Sequence, residues 1–466
     1  VKEPPEDDVR SGDETTIVAP ATPSGAGAIS ILRLSGPQAF SIAGRLTGVD
    51  PAAHPPRTLS RCAIRDAEGN AVDSGLVVCF PSPHSFTGED VVELHLHGNP
   101  ILVEEAAAAA CDLGAVPAAP GEFSRRAFLN GKMDLTQAEG LCDLIAARTA
   151  ASARAALRQM SGGIRDAIVP LRERLVALLV VLEASIDFSD EEGTTPLPTI
   201  QVEERVSEIH NSLTRYLSSY VLGYRLREGA TAAIAGAANV GKSRLLNRLL
   251  GEERAIVTEV PGTTRDYLSG ELTLSGIPVR VVDTAGLRET EDPVEREGVR
   301  RSRRILADAE LALFLLDASR TAHDGDRKAY EEVAGRPHFL LLNKNDLRPV
   351  EDGRDFCGEG RRGVLSVSAK TGMGIDGLLR AMARELVPEE GATMAEAPMT
   401  RLRHVSAVKK AAAALERAAF AAARGLSPEF PAADVREAAQ ALSELTGEIA
   451  PDDVLNEIFS SFCIGK

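Results

Sequence analysis

The sequence predicts a multidomain chain, α+β at its start and α/β near its middle, with the α/β part inserted into an all-helical domain. Three observations carry that prediction. Residues 15–128 string short β-type runs between glycine and proline turns. From Asp134, and again from Met399, apolar residues recur every three or four positions, the spacing of amphipathic helices. Between those helical stretches apolar strands alternate with helices, and the first strand ends in a glycine-bounded loop. The boundaries that follow are a tail at 1–13, an α+β domain at 14–130, helical segments at 131–224 and 386–466, and the inserted domain at 225–385.

In chain order, the acidic, proline-bearing "VKEPPEDDVRSGD" is expected to be a mobile tail. "TTIVAPAT", "AISILRLSG", "GLVVCFP" and "DVVELHLHG" read as strands, and "ILVEEAAAAACDLG" as a helix. "LTQAEGLCDLIAARTAASARAALRQM" and "IRDAIVPLRERLVALLVVLEASI" read as helices, as does a stretch opened near Pro198, "PTIQVEERVSEIHNSLTRYLSSYVLGYRL". The style resumes with "RLRHVSAVKKAAAALERAAFAAARG" and "AADVREAAQALSELTG". No internal repeat is visible.

Composition excludes several classes. No run of eighteen apolar residues exists to cross a membrane, and the N-terminus lacks a signal-peptide layout. The six cysteines (62, 79, 111, 142, 357, 463) form no Cys-x-x-Cys pair, which argues against a zinc or redox motif and for reduced thiols in the cytoplasm. A formal charge of −16 disfavours unaided binding of nucleic acid through its phosphates. Either the acidity serves solubility alone, or a more basic partner holds much of any nucleic acid.

The inserted domain carries the chemistry. In "TAAIAGAANVGKSRLLNRLL", Gly236 to Ser243 matches Gly-x4-Gly-Lys-Ser between a strand and a helix. Backbone N–H groups around Asn239, Val240, Gly241 and Arg244 would curl round a β-phosphate at the helix N-terminus. Lys242 would reach the β- and γ-phosphates and the Ser243 hydroxyl would ligate Mg²⁺. "VTEVPGTTRDY" offers Thr263 and Thr264, a switch-loop threonine being able to complete the Mg²⁺ shell. "VRVVDTAG" sets Asp283 near that metal, followed by Thr284, Ala285 and Gly286, whose N–H would face the γ-phosphate. "HFLLLNKND" supplies Asn343 for the O6/N7 side of a base, Lys344 along its plane, and Asp346. That carboxylate can accept from both N1–H and the 2-amino group of guanine, and as a buried unpaired acid it would penalise adenine. "VLSVSAK" adds the Ser368-Ala369-Lys370 turn, with a backbone donor for O6. Four motifs in order, each at a strand end, predict GTP binding. Leu287 stands where Ras-like enzymes carry a water-orienting glutamine, and it can make no hydrogen bond.

With these motifs the chain resembles the MnmE (TrmE) family of tRNA-modification GTPases. The likeness also covers "ATPSGAGAISILRLSGPQA", "FTGEDVVELHLHG", "PGEFSRRAFLNGKMDLTQAEG" and the terminal "FCIGK", and so is nearly full-length. It implies an N-terminal domain like the folate-binding fold of aminomethyltransferases, a discontinuous helical domain and an inserted Ras-like P-loop G domain. It implies a homodimer joined through the N-terminal domains. A heterotetramer with an FAD-dependent, MnmG-type flavoprotein would add an aminomethyl or carboxymethylaminomethyl group to C5 of the wobble uridine. Methylene-tetrahydrofolate would be the one-carbon source, with the tRNA held largely by the partner.

The resemblance also implies an answer to Leu287. K⁺, held by Asn239 and by Thr258, Val260 and Thr263, would supply positive charge beside the transferring phosphate. Glu295 would position the water. From spacing alone Glu295 reads rather as a solvated charge, since 289–304 is dense in Glu and Arg; the resemblance is what assigns it to the water. By the same resemblance Arg33, Glu93, Lys132 and Lys466 would bind the folate. Without it, Arg33, Glu93 and Lys132 read as surface or strand-edge charges. Cys463 stands between a free terminal thiol and a role in one-carbon chemistry. His95 and His97, without a third ligand, read as structural. A competing functional reading is a ribosome-assembly GTPase acting as an RNA-binding switch, which the acidic helical flanks disfavour. Another is a self-sufficient folate enzyme with a regulatory G domain, which the lack of a flavin or nicotinamide fingerprint disfavours.

Overall fold

The structure is a computed structural model, and it describes residues 15–187, 199–251, 269–284, 304–387, 399–449 and 452–466. By contacts the chain forms two compact units, one of residues up to Cys142 with Ser443–Lys466, the other Asp143–Leu442. These borders differ from the divisions read from sequence style at 130/131 and 385/386, because the last helix of the chain packs with the helices Glu122–Leu129 and Leu135–Ile145 that follow the N-terminal sheet.

That first unit is built on six strands: β1 (Ile17–Pro20), β2 (Ile29–Ser35), β3 (Ser60–Arg65), β4 (Ala71–Phe80), β5 (Val91–His97) and β6 (Val116–Pro117). Their order is β3-β4-β5-β2-β1-β6, antiparallel except for β1 against β6. Alternation decides the two faces. Leu32, Leu34, Val92, Leu94 and Leu96 pack with helices Ala39–Thr47 and Pro100–Asp112. The intervening residues, Arg33 and Glu93 among them, point to the other face, where Ile17, Ala19 and Phe123 form a small apolar cluster. Strand β3 was missed from sequence, since "SRCAIR" holds only two buried apolar positions.

The C-terminal helix Asp452–Ser460 belongs to this unit. Leu455, Ile458, Phe459 and Phe462 bury against Leu135 and Ala138. Gly121, at φ 69°, lets the chain pass so close that a Cβ there would lie 2.3 Å from the Phe459 carbonyl oxygen.

In the second unit, helix Leu402–Ala423 packs along helix Thr199–Ser218. Two stretches expected as single helices are broken. The first parts into Leu135–Ile145 and Ala150–Met160, because Thr149 takes an extended conformation and caps the second helix, its Oγ1 accepting from Ser152 N. The other breaks at Ser219 into Thr199–Ser218 and Tyr220–Glu228. Ser219 Oγ accepts from Met399 N, so the break receives the returning chain. Entry to and return from the insertion are clasped by one carboxylate. Asp143 accepts from Arg227 Nε at 3.1 Å and Arg401 Nη2 at 2.7 Å.

The inserted sheet comprises β7 (Ala230–Ala235), β8 (Ser269–Leu274), β9 (Ile277–Asp283), β10 (Leu311–Asp317), β11 (His338–Asn343) and β12 (Arg361–Ser366). Its order is β12-β11-β10-β7-β9-β8, parallel throughout except for the β8–β9 hairpin. Both faces are covered: β10 alternates between two apolar cores, Leu313 and Leu315 in one, Phe314 and Leu316 in the other. The hairpin turn, Ser275 at φ 49° and Gly276 at φ 88°, is the two-residue type that matches strand twist. It docks on the capped helix. Thr149 Oγ1 donates to Gly276 O at 2.6 Å, and Arg148 Nη1 meets Glu271 Oε1 at 2.7 Å.

A Cβ on Gly276 would lie 2.8 Å from Ala151 Cβ, at a φ that β-branched residues avoid. Gly276→Val is therefore expected to cost about 2–4 kcal/mol in urea unfolding of the full chain. A loss below about 0.5 kcal/mol would show that this docking does not support the fold.

Candidate functional sites

The phosphate loop leaves β7 at the centre of the parallel sheet and enters helix Lys242–Leu250. Close approach dictates its glycines. A Cβ on Gly236 would sit 2.5 Å from Leu315 O, and one on Gly241 2.5 Å from Asn343 Nδ2. Lys242 arches back over the loop, its Nζ donating to Gly236 O and Ala237 O, each at 2.8 Å. Ser243 Oγ donates to Asp283 Oδ2 at 2.6 Å. Asp283 is buried at the end of β9, and its Oδ1 has no hydrogen-bond partner among the described residues. A buried idle carboxylate oxygen beside a hydroxyl fits a hard divalent cation, which takes oxygen ligands and retains water for the rest. Thr284 is buried, and its hydroxyl donates to Ile234 O. Asn239 is exposed at the loop crest with φ 63°.

The base-facing loops meet this cradle through Asn343. Its Nδ2 donates to Val240 O at 2.6 Å, and its Oδ1 accepts from Ala369 N at 3.0 Å. Expected to face a base, Asn343 thus has both amide ends engaged by the protein, and the Ala369 N–H is engaged with it. Lys344 stands at φ 64°, its Nζ 2.6 Å from Asp317 Oδ2. Asp346 is exposed, and Ser368 Oγ donates to its Oδ1 at 2.6 Å. That hydrogen bond first of all holds its carboxyl below the usual range, with Lys370 and Arg244 adding positive charge. Asp346 is solvated and half-satisfied, so only a base lying over it would impose the desolvation that penalises adenine. Beside it, Arg244, Asn247, Arg248, Gly251, Ala369 and Lys370 bound an open hollow of about 360 Å³. Thr258, Val260, Thr263, Thr264, Ala285, Gly286, Leu287 and Glu295 lie outside the described residues.

On the open face of the N-terminal sheet, Arg33 and Glu93 are directly opposed across β2 and β5. Arg33 Nε and Nη2 both bond Glu93 Oε1, at 2.9 and 2.8 Å, and the guanidinium lies 5.7 Å from the ring centres of Phe86 and Phe123. Among the described residues no hydrogen bond reaches Glu93 Oε2, and His95 Nε2 stands 3.7 Å from it. A carboxylate oxygen left open beside an arginine and two rings suits a flat ligand with an N–H edge. Lys132 does not join the pair; its Nζ donates to Pro83 O at 2.8 Å. Lys466 and the exposed Cys463 lie on the tail. Cys463 O accepts from Gly121 N, and Gly465 lies so close to Pro20 O that a Cβ there would be 1.9 Å away.

Sequence reasoning missed the polar brace beneath this face. Arg126 is buried and binds Glu89, Glu122 and the Thr15 carbonyl, while Ser35 Oγ donates to Glu89 Oε2 at 2.6 Å. The i,i+4 spacing of Glu122 and Arg126 was the available signal. His97 Nδ1 pairs with Asp73 at 2.8 Å rather than with His95, and no metal-binding cluster of His, Cys, Asp or Glu occurs among the described residues. Burial pushes the Cys79 thiol up to about 11 and raises Cys62 and Cys111, so none of these three is a ready nucleophile. Among the described residues no helix is long and apolar enough to cross a membrane.

Two family models match the chain: MnmE helical domain over residues 135–463, and GTP-binding protein TrmE N-terminus over 16–132. The tRNA modification GTPase MnmE of Aquifex aeolicus (strain VF5) is 42% identical over 453 residues, 97% of this chain and 99% of that protein. The protein of that name from Paramagnetospirillum magneticum is 44% identical over 456 residues, with the same shares. The one from Heliobacterium modesticaldum is 42% identical over 467 residues, again with those shares.

The geometry of Asp346 makes base choice testable. Asp346→Asn replaces an acceptor with a donor, so GDP affinity is expected to fall about 100-fold while xanthosine diphosphate, whose 2-oxo group accepts, gains. Calorimetric titration of both nucleotides checks this, and unchanged GDP affinity would remove Asp346 from the base site.

Proposed function

The chain belongs to the MnmE (TrmE) family of tRNA-modification GTPases, and on that premise we propose that it hydrolyses GTP in its inserted domain to drive modification of the tRNA wobble uridine. The observation that carries this reading is the idle Asp283 Oδ1 beside the Ser243 hydroxyl, under a lysine-spanned loop that Asn343 ties to the base-facing turn. Ser243 and Asp283, with Thr264 from the preceding switch segment, would hold Mg²⁺, which when bound neutralises charge on the β- and γ-phosphates. Loop N–H groups and the helix N-terminus seat the phosphates, and Lys242 leaves its two carbonyl partners to reach them. Asp346 reads the N1–H and 2-amino edge, with the Ser368-Ala369-Lys370 turn beside O6.

Leu287 cannot orient water, and Glu295 is assigned that task. Asn239, with Thr258, Val260 and Thr263, would seat K⁺, which when bound adds positive charge beside the phosphate that leaves. The exposed, left-handed Asn239 at the loop crest supports this assignment. In the first unit, the Arg33–Glu93 pair would hold the pterin of a methylene-tetrahydrofolate, with Lys132 and Lys466 toward its acidic tail. Cys463, on the same tail as Lys466, is available to the one-carbon step. The chain would work in the cytoplasm as a homodimer through its N-terminal domains. A flavoprotein carrying FAD would complete a heterotetramer and hold most of the tRNA, consistent with the −16 charge of this chain.

GTP turnover is expected to be about tenfold or more faster in KCl than in NaCl, and Asn239→Ala should abolish that difference. Equal rates in the two salts would refute the K⁺ assignment. Glu295→Ala should retain GTP binding and lose about 100-fold in turnover. Cells lacking the protein should lose the modified wobble uridine from their tRNA, as read by mass spectrometry of nucleosides; intact modification would overturn the proposal.

A further inference from the structure

Asp317 ends β10 directly beside Asn343, with which it is in parallel register, yet no motif read from the sequence includes it. Its side chain is 8% exposed, and both of its oxygens are engaged locally. Oδ1 takes Ser319 N at 3.0 Å and Ser319 Oγ at 2.6 Å, while Oδ2 takes Lys344 Nζ at 2.6 Å. Among the described residues the other cation facing it is Arg320, 3.8 Å from Oδ2, and Arg320 is engaged in two hydrogen bonds to Asp326. Burial pushes the Asp317 carboxyl up, and the hydrogen bonds from Lys344 and Ser319 more than reverse this, so it remains ionised. Lys344 is thus the main neutralising partner of a buried carboxylate.

The reverse dependence matters for the ligand. Lys344 sits in a left-handed backbone conformation, fixed by Asn345 N donating to Val367 O and Leu347 N donating to Lys344 O. From that fixed Cα, holding the ammonium on Asp317 restricts the courses open to the four-carbon stem. Lysine loses more rotamer entropy than almost any residue when ordered on binding. The anchor orders it beforehand. The two carboxylates divide the local partners: Asp317 holds the Lys344 ammonium, while Asp346 takes the Ser368 hydroxyl and the positive charge of Lys370 and Arg244.

We infer that Asp317 is a positioning residue for nucleotide binding: by holding the Lys344 ammonium it fixes the lysine stem as the apolar face on which a purine ring lies. This rests on the reading of the 343–346 loop as the base site. Its consequence is an affinity that depends on Asp317 equally for guanine and for hypoxanthine, because ring contact does not involve the 2-amino edge that Asp346 reads.

The test measures Kd for GDP and for inosine diphosphate by calorimetry on the full chain. Asp317→Asn should weaken both by about tenfold and by the same factor. Lys344→Met should weaken both similarly, and adding Asp317→Asn to Lys344→Met should cost nothing more, since the anchor then has nothing to hold. A generic structural role would instead give a further loss in that background. The inference falls if Asp317→Asn leaves both Kd values within twofold, or if Lys344→Met and the double variant differ by more than about threefold. The second comparison stands alone should Asp317→Asn fail to fold. Asp346→Asn separates the two levels: if it keeps GDP affinity, the base-site reading fails and takes this inference with it. If it loses GDP while Asp317→Asn does not, the inference alone is wrong.

Discussion

The side-chain amide of Asn343 is the bond on which the nucleotide half of the molecule depends. One end holds the phosphate loop at Val240 O and the other holds the Ala369 N–H, so cradle and base-facing turn are fixed at one separation. The approach is tight enough that Gly241 can carry no side chain. A buried amide satisfied at both ends is expensive to disrupt, because either freed group would be left without water or partner. The glycine of the phosphate loop and the asparagine four strands of sequence away are therefore one constraint, written at two places in the chain.

Sheet order explains why such distant residues converge. In a parallel sheet every strand delivers its C-terminal end to the same edge. Here β7, β9, β10 and β11 end at Ala235, Asp283, Asp317 and Asn343, and each hands over to a residue with a polar task. The strands themselves are almost wholly apolar, being covered on both faces. Apart from Thr231 and Arg280, polar side chains in these strands stand at their ends. That contrast is what made the inserted domain legible from sequence.

Legibility fell off where the signal was not periodic. The strands β1, β2, β4 and β5 and the long helices were read correctly because apolar spacing reports burial directly. The breaks at Thr149 and Ser219 were missed, since a hydroxyl that caps a helix, as Thr149 does, or that receives a distant backbone N–H, as Ser219 does from Met399, looks in the sequence like any surface threonine or serine. At the site, motif residues were found and their supports were not. Asp317 closes an apolar run outside every motif, and Arg126 is one charge among several in "FSRRAFLNGK". Such groups act through partners far off in sequence, 27 residues for Asp317 with Lys344 and 111 for Arg126 with Thr15, and no local pattern records that distance.

The Arg33–Glu93 pair is best judged by what it does not contribute. A partly buried ion pair across neighbouring strands adds little net stability, since desolvation offsets most of its attraction. Two aliphatic residues on that face, beside Phe86, Phe123 and Ala19, would bury well. The geometry also spends the charge unevenly. Both guanidinium nitrogens converge on Glu93 Oε1, and Oε2 is left with His95 at 3.7 Å. A pair built for stability would be expected to share its two hydrogen bonds between both oxygens in the fork geometry that suits arginine and carboxylate. The arrangement seen keeps one acceptor available on an aromatic-walled face, which supports the proposed pterin site.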